Sequence, residues 1–280
     1  MTSVLRYTGF AATPEGGNPA GIVLDAGDLA DAEMQRIAAD VGFAETAFLI
    51  DAAIDGDARH ARVRYFSPIA EIPFCGHATV ALAVALARRD GIGTVLFETS
   101  AGPVSITTTA DADQIIAAFT SVEPKLAGLS DDVLDVLLDL LGVGRDDLDP
   151  RFPPQLSYAG NWHPVLVFAD RDTFDTFAFD PAAMRALMDA EGWTGTVTTL
   201  FAIRPAEFEA RNIFPVGTMN EDPATGSAAA SVGGYLRTLG LAPDRLIIHQ
   251  GAHVGRPSLL TVDIPPTGGI IVSGTAVEIV

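Results

Sequence analysis

Short apolar runs bounded by Gly, Pro or Asp recur along the chain, at 4–10, 21–24, 46–50, 61–66, 95–99, 104–108 and 114–119. A second series follows at 165–168, 197–203, 208–213, 246–249, 259–264, 270–272 and 277–280. Such spacing predicts antiparallel strands curled into sandwiches or barrels. Helical periodicity appears at 31–41, 131–141 and 181–191, the last opening with Pro181 after Asp180, a good start signal. Two further helices are of another kind. Residues 78–87 are apolar on every face, so that helix should be surrounded by protein; Arg88, Arg89 and Gly91 then mark its end. The helix after Ser227 carries Gly233-Gly234, which predicts close packing against a strand rather than a broken helix. A buried helix wrapped by strands, twice, is the expected architecture. The stretch 121–130, with a Pro, a Gly and no clear period, is the expected boundary between domains at 1–120 and 131–280, the last strand being a candidate to return to the first domain.

The halves also share a motif. Glu71 to Ala78 reads E-I-P-F-C-G-H-A and Glu221 to Ala228 reads E-D-P-A-T-G-S-A, so Glu, Pro, Gly and Ala recur at a constant offset. Arg64 and Pro68 precede the first copy as Arg211 and Pro215 precede the second. Each copy is a polar turn feeding one of the two buried helices. Two helix N-termini facing one cleft would make an anion site, because their first N–H groups lack partners and carry partial positive charge.

The chain has 280 residues, 48% of them hydrophobic, and a formal net charge of −19. That charge argues against nucleic acid and anionic membrane surfaces as partners. A single cysteine, Cys75, excludes an intrachain disulfide and suits a reducing compartment. The first residues lack a basic stretch followed by an apolar one, and the longest apolar run, 78–87, is far short of the roughly 20 residues a membrane span needs. A soluble cytoplasmic protein is expected.

Within the repeat, His77 would sit in the first turn of a buried helix, where the helix dipole favours the neutral imidazole. Asp222 and Ser227 come from the matching turn. Ser227 is a candidate to hold a substrate carboxylate beside the N–H groups near Gly226; alternatively Ser227 or Thr225 is a plain helix cap. Glu45, at the start of an otherwise apolar strand, is a candidate acid/base, or else an exposed strand-end carboxylate. Asn18 is either a ligand contact or part of a turn. Cys75 lies beside a helix start, a position that lowers a thiol pKa. The five histidines (His60, His77, His163, His249, His253) show no convincing metal-ligand pattern, and no nucleotide loop is present.

The runs G-N-P-A-G-I-V-L-D, E-T-A-F, R-Y-F-S-P with C-G-H-A-T, R-N-I-F-P with E-D-P-A-T-G-S-A, and Q-G followed by G-R-P-S together resemble the phenazine-biosynthesis-like (PhzF) isomerases, in family order from Gly17 to Ser258. The resemblance implies an α+β fold like diaminopimelate epimerase, with two pseudo-symmetric domains, each a β-barrel around a central helix, and an active site between them. It implies a homodimer and cofactor-independent proton transfer on a small carboxylate substrate, with no metal. By the same resemblance Glu45 is the acid/base, His77 and Asp222 are catalytic, Ser227 holds substrate, and Gly76 and Gly226 supply backbone contacts. Two positions depart from the family pattern: Thr8-Gly9 in the opening strand, and His249 before Gln250-Gly251. Two other readings stay open: a one-cysteine dehydratase or epimerase with Cys75 opposite Thr225, and a carboxylate-binding protein without turnover.

Overall fold

The computed structural model describes residues 2–217 and 219–280. These form two compact units, Met1–Thr120 with Ser273–Val280, and Ser121–Val272. Residues 121–130 therefore travel with the second unit and the C-terminal strand with the first.

The first unit contains β1 (Leu5–Gly9), β2 (Asn18–Val23), α1 (Asp31–Val41), β3 (Glu45–Asp51), β4 (His60–Phe66), β5 (Glu71–Ile72), α2 (Gly76–Asp90), β6 (Gly93–Thr99), β7 (Gly102–Asp111) and β8 (Gln114–Thr120). Strand pairing runs β1-β2-β3-β4-β6-β7-β8, and the C-terminal strand Ile271–Glu278 bonds to both β8 and β1, closing an eight-stranded barrel. Through it runs α2, packed on β1, β2, β3, β7 and β8. Every residue from His77 to Ala87 is buried, as the all-round apolar sequence requires. The helix stops where Gly91, at φ 92°, donates its N–H to the Ala87 carbonyl. On the outside, Met34, Ile37 and Ala38 of α1 pack against Val23, Phe48 and Phe66.

The second unit contains β9 (Lys125–Gly128), α3 (Asp131–Leu141), β10 (Gln155–Tyr158), β11 (Trp162–Phe168), α4 (Arg171–Thr176), α5 (Pro181–Ala190), β12 (Val197–Arg204), β13 (Glu207–Val216), β14 (Met219–Asp222), α6 (Gly226–Thr238), β15 (Arg245–Gln250) and β16 (Ser258–Asp263), and β17 (Ile271–Glu278) begins at its edge. The pairing order is β9-β10-β11-β12-β13-β15-β16, with Ser121 and Ile270 bonded to each other beyond it. Helix α6 lies against β9, β10, β11 and β16. Helices α3 and α5 bury Leu134, Leu137, Leu138, Met184 and Met188 against Phe168, Val197 and Ile213. Asp180 caps α5 ahead of Pro181, as that dipeptide predicts.

The sheets are mixed, not purely antiparallel. The pairs β2/β3, β4/β6, β11/β12 and β13/β15 are parallel. Each spans a crossover that contains a helix (α1, α2, α4 with α5, and α6), the connection parallel neighbours need. The two units also share one pairing order: an antiparallel pair, a parallel step, an antiparallel pair carrying the short extra strand (β5 or β14), another parallel step, then another antiparallel pair. The motif repeat is thus a fold repeat.

Gly233 and Gly234 do not interrupt α6. A Cβ on Gly233 would lie 2.9 Å from Ile270 Cγ2, and one on Gly234 would lie 2.4 Å from Pro124 Cβ. Both are close-approach positions: Gly233 also meets Val262 of β16, as the sequence suggests, whereas Gly234 meets Pro124, just ahead of β9 and not in a strand. Among the described residues, no helix is long and apolar enough to cross a membrane. On an exposed helix, Gly→Ala stabilises by about 1 kcal/mol. Gly234→Ala should do the reverse here, destabilising by about 1–3 kcal/mol through overpacking, measured as a lowered urea midpoint.

Candidate active site

The repeated Glu and Arg have a structural task in both units. Arg64 on β4 holds Glu71 on β5 through paired bonds of 2.8 and 2.7 Å, and Arg211 on β13 holds Glu221 on β14 at 2.6 Å. The second pair is the deeper, with side chains 8% and 10% exposed against 24% and 34%. Arg211 also donates to the carbonyls of Phe174 and Phe177 and lies 3.6 Å from the centre of the Phe177 ring. Each ion pair fixes the turn whose Pro and Gly deliver the chain into the buried helix.

In the first unit that turn brings three groups together. Cys75 immediately precedes α2, Gly76 is the helix's first residue and His77 its second, while Glu45 is the first residue of β3. Glu45 Oε2 lies 3.2 Å from His77 Nε2 and 3.5 Å from Cys75 Sγ, and Sγ lies 3.3 Å from His77 Nδ1. The Glu45 side chain is 19% exposed and that of His77 6%. Burial, together with the Glu45 charge, pushes the Cys75 thiol up to about 11. The helix start therefore does not lower it as expected, because burial outweighs the dipole. His77 also departs from expectation. Burial opposes the imidazolium, but Cys75 and Glu45 outweigh burial and raise its pKa well above the ordinary value. The Cys75 share of that rise requires a thiolate, so with the thiol protonated it is Glu45 that favours the charged ring.

The other first-unit residues frame this cluster. Asn18 is buried at the start of β2, opposite Gly9. A Cβ on Gly9 would lie 2.6 Å from the His77 carbonyl oxygen, so glycine there lets β1 press against the first turn of α2. Thr8 is buried and donates to the Gly16 carbonyl at 2.6 Å, tying down the loop before Asn18.

In the second unit, Asp222 ends β14, Gly226 is the first residue of α6 and Ser227 the second. Thr225 does not cap the helix with its side chain; its hydroxyl donates to Asp222 Oδ2 at 2.5 Å. Gln250 closes the turn, donating to the Asp222 carbonyl at 2.6 Å and the Thr225 hydroxyl at 3.0 Å while accepting from the Thr225 N–H. Neighbouring His249 bonds Glu207 instead, at 2.8 Å.

Ser227 is held by a residue that the pattern of the chain does not single out. His163, fully buried on β11, lies 3.1 Å from the Ser227 hydroxyl through Nε2, while its Nδ1 accepts the Thr196 N–H at 3.0 Å. Burial lowers the His163 pKa to about 4. The ring is therefore neutral; Nδ1 also lies 3.1 Å from the Thr196 carbonyl, and in the tautomer in which Nδ1 accepts the Thr196 N–H, Nε2–H donates to Ser227 Oγ and leaves the serine hydroxyl proton for another acceptor. Thr196 and Thr198 both donate to Asn212 Oδ1, which completes a buried polar chain. The one available sequence signal is His163-Pro164 near the start of β11, matching Asn18-Pro19 at the start of β2.

The sequence profile of the family described as "Phenazine biosynthesis-like protein" matches residues 7–280. The chain belongs to this family. It is 31% identical to the isomerase YddE of Escherichia coli (strain K12), over 98% of this chain and 95% of that protein. It is 30% identical to the trans-2,3-dihydro-3-hydroxyanthranilate isomerase of Pseudomonas fluorescens, over 93% and 89%. The crystal structure of the Bacillus anthracis phenazine biosynthesis protein of the PhzF family superposes with a TM-score of 0.85 at 26% identity, covering 100% of this chain and 97% of the other. The barrel-and-helix fold is that of PhzF proteins, and the chain is a PhzF-family isomerase.

His163 gives this PhzF-family chain a stability that depends on pH. Unfolded, a histidine protonates near its ordinary 6.5; folded, His163 stays neutral down to about 4. The folded value is the lower one, so the unfolded state gains its proton first and stability falls as pH drops through that window. The loss should reach roughly 3 kcal/mol by pH 4. Urea unfolding of the wild type and of His163→Gln at pH 7 and pH 4.5 should show a smaller acid loss in the variant.

Proposed function

We propose that this isomerase moves a proton on a small carboxylate-bearing substrate without a cofactor, with Glu45 as the acid/base. The observation that carries this reading is the partly buried Glu45 carboxylate 3.2 Å from His77 Nε2. Glu45 takes a proton from an activated carbon, the electron pair shifts through the adjoining unsaturated system, and the resulting carboxylic acid returns the proton to another carbon. His77 holds the Glu45 oxygen in place and balances its charge. Asp222, fixed by Thr225, polarises the substrate. Ser227 donates its hydroxyl proton to the substrate carboxylate, assisted by the N–H groups of Gly76 and Gly226 at the positive ends of α2 and α6. Asn18 supplies an amide contact. A cyclic amino carboxylate suits this set, which agrees with the substrate named for the Pseudomonas fluorescens relative.

The thiol alternative has less support. A racemase that works with two thiols needs a second cysteine, whereas the position equivalent to Cys75 holds Thr225, whose hydroxyl is committed to Asp222. A thiol pushed up to about 11 is also a poor base at neutral pH. Cytoplasmic operation is part of the proposal because the single cysteine suits a reducing compartment, and homodimeric operation by family resemblance.

Proton NMR in D₂O with trans-2,3-dihydro-3-hydroxyanthranilate and a panel of cyclic amino carboxylates tests the assignment. Wild type should give new product resonances. Glu45→Gln should slow their appearance by about 10²–10⁴-fold, and Cys75→Ser should stay within a few-fold of wild type. Product formation that survives Glu45→Gln but not Cys75→Ser would move the base to sulfur and overturn the proposal.

A further inference from the structure

The second unit closes its functional turn with an element that the first unit lacks. In the first unit Thr99 pairs with Gly102, so only Ser100 and Ala101 join β6 to β7. At the equivalent place Gln250 pairs with Ser258, and residues 251–257 join β15 to β16. The equivalence follows from the parallel pairs. Arg62, two residues before Arg64, faces Glu98, and Glu209, two residues before Arg211, faces His249.

The longer loop is a self-bonded block. Gly251 and Gly255, at φ 78° and 72°, frame the single turn Ala252–Val254, and the Arg256 N–H returns to the Gly251 carbonyl at 3.0 Å. A Cβ on Gly251 would lie 2.5 Å from the Pro223 carbonyl oxygen, so glycine lets the block press on the turn that carries Asp222. At the head of the block stands Gln250, bonded to the Asp222 carbonyl and to the N–H and hydroxyl of Thr225. At its middle stands His253, whose Nε2 lies 3.2 Å from Asp175 Oδ1 on α4. Arg171 takes the other Asp175 oxygen at 2.8 Å, and the His253 ring stands edge-on to Phe174, with ring centres 5.6 Å apart. A carboxylate oxygen only accepts, so the bond to Asp175 places a proton on His253 Nε2.

Helix α4 is tied to the same turn from the other side. The carbonyls of Phe174 and Phe177 accept from Arg211, which holds Glu221. The bonds therefore close a ring, from Asp222 through Gln250 and the loop to His253, across to Asp175 and α4, and back through Arg211 and Glu221.

We propose that His253 is a positioning residue: its bond to Asp175 clasps the loop of the second unit onto α4 and so holds Gln250, and through it Asp222 and Thr225, in the arrangement that the reaction uses. The loop and α4 are the two surface elements flanking this turn, and His253 joins one to the other. The consequence for turnover rests on the role proposed above for Asp222; the clasp itself does not. A group that acts on the transition state through its placement costs kcat when it is loosened, with little change in KM.

The test uses the full-length protein and two readouts. Amide hydrogen exchange should show the Thr225 N–H losing protection by about tenfold or more in His253→Ala and in Asp175→Ala. His249→Ala should leave that protection unchanged, because His249 bonds Glu207 outside the ring. On a carboxylate that wild type converts, His253→Ala should lower kcat about tenfold with KM within about twofold. His253→Gln, which keeps an N–H donor for Asp175, should recover most of that loss. His253→Ala and Asp175→Ala combined should cost no more than either alone. Unchanged Thr225 protection in His253→Ala overturns the clasp, whatever the turnover. Additive losses of kcat in the double variant overturn the link between His253 and Asp175. Protection that falls while kcat holds overturns the positioning of Asp222 by His253. If wild type converts no carboxylate at all, exchange still decides the clasp, and it is the assignment of Asp222 to the reaction that fails.

Discussion

Each unit depends on one ion pair. The helix inside a ring of strands cannot choose its own entry point, because a slip of one residue turns every side chain by about 100°. Arg64–Glu71 and Arg211–Glu221 remove that freedom. The strand that enters the turn supplies the guanidinium and the short strand that leaves it supplies the carboxylate. Two residues after each Glu comes Pro, and three after that the Gly that opens the helix. The motif is repeated because both units need this anchor. A carboxylate at the next position serves another end and occurs once, as Asp222 where the first copy has Ile72.

With the scaffold fixed twice, the side chains it presents have diverged in charge. In β3, Ala47 pairs with Tyr65, and Glu45 stands two residues earlier; in β12, Thr198 pairs with Asn212, and Thr196 stands two residues earlier. Glu45 and Thr196 are therefore equivalent, as are Cys75 and Thr225, and His77 and Ser227. The first unit gathers a carboxylate, a thiol and an imidazole, all titratable. The second replaces them with three hydroxyls and draws its imidazole from another strand, with both ring nitrogens committed.

Much of this was legible in the sequence, and for physical reasons. A helix apolar on all sides has to be surrounded, so 78–87 announced the barrel interior. The repeated Glu, Pro and Gly marked where backbone geometry is fixed, and the pair Gly233-Gly234 marked where it must approach another chain segment. Parallel pairing was not legible, because an isolated strand carries no mark of its partner's direction; the helices between the strands hold that information. The two to four residues of β5, β9, β10 and β14 are too short to show a period. His163 does not stand out in the sequence because its partners Ser227 and Thr196 lie 64 and 33 residues away. The directions at Cys75 and His77 went against expectation because a helix start argues from local sequence alone, whereas desolvation and Glu45 come from the tertiary fold.

The split in charge has a consequence for how the two units respond to their surroundings. A neutral His163, donating to Ser227 and accepting from the Thr196 backbone, keeps one arrangement across the physiological pH range, because its titration lies far below it. With the proton on Nε2 the serine hydroxyl is a donor to its other side, which is what an anion-holding position requires. The cluster of the first unit has no such fixed state. Its proton can sit on sulfur or on the ring, and each placement changes what Glu45 faces at 3.2 and 3.5 Å. A group that must give and take a proton needs neighbours that can be reset in this way. Binding constancy and chemical lability are thus assigned to different copies of one supersecondary unit, and the barrel walls, whose backbone bonds do not titrate, keep the labile copy in register through every change of state.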